Sequence, residues 1–306
     1  MRIAVMFPGQ GSQYPMMGAG LYGVEPVFTG AVDRILGWFG GRGSALRDLW
    51  LSADPGETFD DVTCAQPLLW TINRALGEMV AGWARPDVYF GHSVGELVAA
   101  TMAGVLDPRQ ATTLIQDRVE RFADTPAGGM LAVAASVDQV APLLGDGVWL
   151  AAVNGTRQLL LAGDVDHLHH ADAWLQDRGI TTVPSRARQA FHSPLVSDAV
   201  LASLPAWDRV QLGPPRSQLF TAYPGGVTTQ AQARDPRFWA WQPALTVHFA
   251  AALTAVLDSG VDLLVEAGPG AGLSSLARRH PAVRSGRWAV VAQLPSPRPG
   301  AQLCSV

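Results

Sequence analysis

The sequence predicts an α/β protein: a large domain on a mainly parallel sheet, interrupted by a small unit of alternating strands and helices. Three observations carry that reading. Two apolar runs, RIAVMF at 2–7 and VDLLVEAGPG at 261–270, end in glycine-rich turns, the pattern of strands buried on both faces. A third, at 87–90, passes through GHSVGE at 91–96 into Leu97 to Ala100: a strand, a tight corner, then a helix. Residues 129–185 alternate in the order β-α-β-β-α-β, the ferredoxin-like pattern.

Taken in order, strand 2–7 leads into the turn-rich loop PGQGSQ at 8–13, and helical and loop segments follow to about residue 84. The clearest helix is Pro67 to Ala84, with Leu68, Leu69, Ile72, Leu76, Met79 and Val80 at helical spacing. After strand 87–90 and its corner comes a helix over 95–103. Asp107-Pro108, an N-cap with proline at N1, opens a helix through Leu114, Ile115, Arg118 and Phe122. The small subdomain, 128–193, holds strands at 129–136, 148–155, 158–163 and 180–185 and helices at 137–145 and 166–179. The large α/β domain is 1–127 and 194–306, and the tail after Pro295 reads as Pro-rich and irregular.

A chain of 306 residues with 48% hydrophobic and 16% charged residues has an ample core and little disorder. A net charge of −4 excludes the basic field of a nucleic-acid binder. No apolar run reaches membrane-spanning length, and MRIAVMFPGQ lacks the features of a signal peptide, so the expected location is cytoplasmic. Cys64 and Cys304 lie far apart without metal-ligand spacing, so neither a zinc site nor a disulfide is expected, and Cys304 is read as a tail residue. All 22 basic residues are arginine. Lysine Schiff-base chemistry is therefore excluded, and any anionic substrate group meets a guanidinium.

The strand–GHSVGE–helix corner would lift the Ser93 hydroxyl above the sheet and aim backbone N–H groups and a helix N-terminus at one point. Gly91 and Gly95 would let strand and helix approach closely. A nucleophilic serine needs a base. His167, His169 and His170 fall on the subdomain helix and are read as solvated; His248 lies in an amphipathic segment and is read as structural. His92 should point away from Ser93 and line a substrate site. Two candidates remain: His192, in QAFHSP where the subdomain rejoins the large domain, and His280, in RRHP. A hydrolase would use His280 with Glu266 or Asp262, in the order serine, acid, histidine.

At these residues the chain resembles the malonyl-CoA:acyl carrier protein transacylases and the acyltransferase domains of polyketide synthases. The shared motifs are PGQGSQ (8–13), GHSVGE (91–96), Arg118, PAGGM (126–130), AAVNG (151–155), QAFH (189–192) and EAGPG (266–270). The resemblance implies a hydrolase-like α/β domain with an inserted ferredoxin-like subdomain. It implies Ser93 as acyl-accepting nucleophile and His192 as general base, oriented by a backbone carbonyl rather than an acid. The oxyanion hole would be the N–H groups of Gln10 and Val94, and Arg118 would hold the free carboxylate of a malonyl-type acyl group. His92, Phe191, Gln189, Phe122 and Leu245 would line the substrate site.

Val94 after the nucleophile and QAFH before the base follow the family's malonyl pattern, with Phe191 crowding a branching methyl by about 1–3 kcal/mol. Departures are Val119, Glu120, Arg121 and Phe122 in place of the usual Gly-x-x-Met after the arginine, Leu245 for the usual Gln or Arg, and Gln189 for His. These keep open a discrete acyltransferase that moves starter or aminoacyl groups between carrier proteins.

No bound cofactor is expected. The substrates implied are a CoA thioester and a phosphopantetheine-bearing acyl carrier protein, with a free-standing monomer, no nucleic acid and no membrane. The carrier is acidic, so its docking patch is expected among Arg186, Arg188, Arg278, Arg279, Arg284 and Arg287.

Overall fold

The computed structural model describes residues 1–295; the Pro-rich tail and Cys304 lie outside the described residues. The strands are β1 (Ile3–Phe7), β2 (Val88–Gly91), β3 (Gly129–Val133), β4 (Val148–Gly155), β5 (Gln158–Gly163), β6 (Thr182–Pro184), β7 (Gln218–Thr221), β8 (Gly226–Val227), β9 (Leu263–Pro269) and β10 (Ala289–Leu294). They form two sheets. The larger has the order β10-β9-β1-β2-β7-β8 and is parallel except for the β7–β8 pair. The smaller, β4-β5-β3-β6, is antiparallel and carries the ferredoxin-like strand order. The molecule is thus a hydrolase-like α/β fold with a ferredoxin-like subdomain.

Strand β1 shows why the large sheet is buried on both faces. Ile3, Val5 and Phe7 enter the core under the helices Pro26–Trp38 and Val62–Trp83. Ala4 and Met6 enter a second core, under the helices Phe249–Asp258 and Gly272–Arg279. Strands β7 and β10 are not anticipated by the sequence pattern. β7 is four residues long, and β10 is an edge strand with half-exposed residues, so neither shows a sustained apolar run.

The helix expected from Pro67 starts earlier, at Val62, where the Asp61 carboxylate caps it by accepting from Thr63 N at 2.9 Å. Pro67 lies inside it and cannot donate to the carbonyl of Thr63. The Arg42 guanidinium donates to that carbonyl instead, at 2.9 Å. This shift places Gln66 within the helix and 3% exposed.

The subdomain is tied to the large domain by backbone. Val247 donates to Ala151 at 2.9 Å and accepts from Val153 at 2.8 Å, so the segment after Gln242 runs as a short parallel partner of β4. No helix of the described residues is long and apolar enough to cross a membrane.

Candidate active site

The C-terminal ends of β1, β2 and β9 lie side by side, Phe7 opposite Gly91 and Met6 opposite Glu266. In parallel α/β sheets this edge holds the ligand. Ser93 lies two residues past the end of β2, at the N-cap position of the helix Val94–Met102, with φ 54° and ψ −120° and no side-chain capping bond. A left-handed serine is strained, and the packing around it enforces the strain. A Cβ on Gly95 would fall 2.0 Å from the carbonyl oxygen of Phe7, and one on Gly91 would fall 2.2 Å from the Gly95 carbonyl carbon. Glycine at both positions is therefore the condition for the corner.

His192 Nε2 lies 2.9 Å from Ser93 Oγ. Its Nδ1 faces two carbonyl oxygens, Leu245 at 3.0 Å and Gln242 at 3.2 Å. Carbonyls only accept, so Nδ1 carries the proton and Nε2 accepts from the serine hydroxyl. His192 also has a left-handed backbone, φ 62°, and its N–H donates to Pro243 O at 2.6 Å. No carboxylate bonds its ring among the described residues. The rival base is elsewhere: His280 Nε2 pairs with the Thr254 hydroxyl at 3.1 Å, and its Nδ1 accepts from Ala282 N. The rival acid Glu266 accepts from the N–H groups of Leu273 and Ser274 and anchors a helix start. Asp262 accepts from Arg2 N at the opposite end of the sheet.

Burial, with smaller contributions from His92 and Arg118, pushes the His192 imidazole down to about 3, against the upward pull of the two carbonyls. It is neutral throughout the physiological range, with its Nε2 lone pair facing the serine hydroxyl. Acylation of Ser93 should therefore hold its rate as pH falls through 6.5, the ordinary histidine value. Stability should fall over the same interval. Below 6.5 the unfolded chain takes a proton on His192 that the folded chain refuses until about 3, so acid favours unfolding. Single-turnover acylation rates and chemical denaturation measured across that interval check both statements. A rate that falls with its midpoint near 6.5 would contradict the neutral, buried base.

A cavity of about 290 Å³ opens over Ser93, floored by Gln10, Gln66, His92 and His192 and roofed by Met130 and Leu160 from the subdomain. His92 lines it, and its Nε2 bonds Asn154 Oδ1, of the AAVNG motif, at 2.8 Å across the two domains. Phe191 is a wall, packed edge-on against buried Phe122 at 5.2 Å between centroids. Phe122 stands behind that wall, and Gln189 is buried outside the cavity lining. Leu245 corrects the sequence reading: its side chain is 46% exposed and does not line the cavity. A turn there delivers the backbone carbonyl to His192 instead. The backbone N–H groups of Gln10 and Val94 find no protein acceptor among the described residues.

Arg118 is not itself in the cavity lining; it stands behind Gln66, donating to Gln66 Oε1 at 2.9 Å, and Gln66 donates to Gln10 Oε1 at 3.1 Å. The Arg118 Nε is buried without a partner, and no carboxylate among the described residues pairs with the guanidinium. Burial lowers it to about 10, which leaves it charged at neutral pH. Gln66 and Tyr223 are polar residues here that lie outside the motifs, and Asn154 lies in AAVNG, where the sequence assigns it no role. The one signal for Gln66 is a polar residue beside a long apolar run.

The six surface arginines divide. Arg186 pairs with Asp60 at 3.0 Å and Arg188 with Glu57 at 3.1 Å, so acids already answer both. Arg278 donates to Val290 O and Arg279 to Gln158 Oε1, with no acid paired to either among the described residues; Arg287 stacks on Trp288, and Arg284 is exposed.

A serine held in this way, with a neutral imidazole on its hydroxyl, is arranged for acyl-group chemistry. The chain belongs to the acyl transferase domain family, which matches residues 5–292. A phenolphthiocerol/phthiocerol polyketide synthase of Mycobacterium tuberculosis is 35% identical over 284 residues, which span 92% of this chain and 19% of that protein. The acyltransferase domain of SpnD, solved in complex with 2-(pent-4-yn-1-yl)malonyl, is 31% identical, with a TM-score of 0.88 over 98% of this chain and 72% of that one. A malonyl-transacylase solved with a type II polyketide synthase acyl-carrier protein shares the fold, at 22% identity and a TM-score of 0.86 over 97% of each.

Proposed function

We propose that this chain takes a malonyl-type acyl group from a CoA thioester onto Ser93 and passes it to the phosphopantetheine thiol of an acyl carrier protein in polyketide assembly. The observation that carries this reading is Arg118: its guanidinium has no acidic partner among the described residues, its Nε is buried without a hydrogen bond, and it donates to Gln66, which lines the Ser93 cavity. A buried charge without a counterion is unfavourable, and the free carboxylate of a malonyl group would supply the counterion.

In the first half-reaction the Ser93 hydroxyl gives its proton to His192 Nε2 as Oγ attacks the thioester carbon. The oxyanion faces the free N–H groups of Gln10 and Val94, an arrangement that speeds such steps by about a hundredfold or more per donor. The carbon–sulfur bond breaks, the imidazolium protonates the departing thiolate, and an acyl-serine ester remains. In the second half the carrier thiol gives its proton to His192 and its sulfur attacks the ester. Ser93 leaves and recovers the proton, and no net proton is consumed.

Among the described residues, cavities adjoin the Ser93 cavity on two sides. One, of about 680 Å³, shares Gln10, Gly11 and Ser185 with it and is lined by Asp54, Asp60 and Arg186. The other adjoins it at His92 and borders, at Asn154, a cavity of about 460 Å³ lined by Arg157, Arg279 and His280, with no acid among the described residues of its wall. A phosphate-bearing pantetheine arm favours the second. Reversing Arg157 and Arg279 to glutamate is expected to slow transfer to the carrier at low salt by about tenfold or more, whereas reversing Arg186 and Arg188 changes it by about twofold at most. Transfer rates to a carrier protein from pre-acylated enzyme decide this. The opposite ranking would put the arm on the Asp60 side.

The reading as a whole is tested by offering malonyl-, methylmalonyl- and acetyl-CoA and carrier-bound aminoacyl donors in parallel. Malonyl is expected to acylate fastest; preference for an aminoacyl donor would replace it with the carrier-to-carrier alternative.

A further inference from the structure

Glu96, the last residue of GHSVGE, is completely buried in the helix Val94–Met102, and no arginine pairs with it among the described residues. Three donors from two other segments surround its carboxyl: the Thr221 hydroxyl, the backbone N–H of Ala222 at 3.0 Å and the side-chain amide of Gln242 at 3.0 Å. Both segments also meet His192. The backbone carbonyl of Gln242 faces Nδ1 at 3.2 Å. Tyr223 stacks its ring on the imidazole at 6.1 Å between centroids and 28° between planes, and its N–H donates to the Thr221 hydroxyl at 2.9 Å.

We infer that Glu96 is the positioning residue for His192. Through Gln242 and the Thr221–Tyr223 corner it holds the imidazole with Nε2 on Ser93 Oγ, the orienting task that a directly bonded acid performs in a serine–histidine–acid triad. A lone buried carboxyl is unfavourable unless its hydrogen bonds are satisfied, and here each bond ends on an element that touches the base. His192 also needs outside support, because its left-handed backbone is a strained conformation for a non-glycine residue. Burial pushes the Glu96 carboxyl up to about 8 while its three donors pull it down, so hydrogen bonds and not a counterion hold it in place.

The inference rests on the proposed chemistry at Ser93, and the test separates the two. Glu96→Gln sets an amide against the amide of Gln242, and Gln242→Met removes that donor while keeping the backbone carbonyl. Each is expected to lower the acylation rate at saturating malonyl-CoA by about 10- to 100-fold, as slight misplacement of a reacting group does. KM should stay within about twofold, because neither group touches the substrate. The double variant Glu96→Gln with Gln242→Glu restores donor to acceptor and should recover most of the rate. In protein carrying ¹⁵N-labelled histidine, the Nδ1–H signal of His192 should weaken in each single variant and return in the double. That spectroscopic readout stands even if Ser93 takes no acyl group, an outcome that would defeat the proposed function alone. If Glu96→Gln does not fold, Gln242→Met carries the test. Folded single variants with wild-type rates and an unchanged His192 signal would overturn the inference.

Discussion

His192→Ala is expected to slow acylation of Ser93 by about 10²- to 10⁴-fold, the range over which positioned general bases act. At saturating malonyl-CoA His280→Ala should change it by less than about twofold, since His280 borders the arm's cavity and bonds no reacting group. The reason is geometric. Among the described residues only His192 bonds Ser93 Oγ, and its tautomer is fixed by carbonyls that cannot donate. His280 is engaged with Thr254 and caps the short helix Pro281–Arg284. Stopped-flow release of CoA from malonyl-CoA measures both. A large loss with His280→Ala and none with His192→Ala would restore the hydrolase arrangement.

Arg118→Ala should slow malonyl acylation by about 30-fold to a few thousandfold, the equivalent of about 2–5 kcal/mol for breaking a desolvated, hydrogen-bonded charge pair. Acetyl transfer should change little, since an acetyl group brings no carboxylate. The guanidinium spends one bond on Gln66 and keeps Nε unpartnered, so it has donors to give. Lysine is expected to rescue poorly, because a point charge cannot reproduce a bidentate fork. The ratio of malonyl to acetyl acylation rates is the discriminating quantity, and equal losses for both would make Arg118 a structural arginine.

The Ser93 corner is legible in the sequence because its chemistry demands glycine at two fixed positions between an apolar run and a helix. The ferredoxin-like subdomain is legible because its strands and helices alternate in short, well-punctuated runs. Other features leave no such trace. A backbone carbonyl that orients a histidine has no side-chain signature, so the sequence points to the Leu245 side chain, which is exposed, and not to its carbonyl. Gln66 sits at the edge of an apolar helix, and its bonds to Arg118 and Gln10 run to residues 52 and 56 positions away. Arg186 reads as a free docking charge because its partner Asp60 lies 126 positions upstream. Glu96 is plain in the motif, but its work depends on Thr221 and Gln242, more than a hundred residues further on.

The central claim is an acyl ester on Ser93, and intact-mass spectrometry after brief incubation with malonyl-CoA tests it most directly. The expected result is one added malonyl group per chain, mapped to the peptide holding GHSVGE, absent in Ser93→Ala and discharged by a phosphopantetheine-bearing carrier faster than by water. A malonyl adduct that persists in Ser93→Ala, or an ester that water removes as fast as the carrier does, would contradict the account.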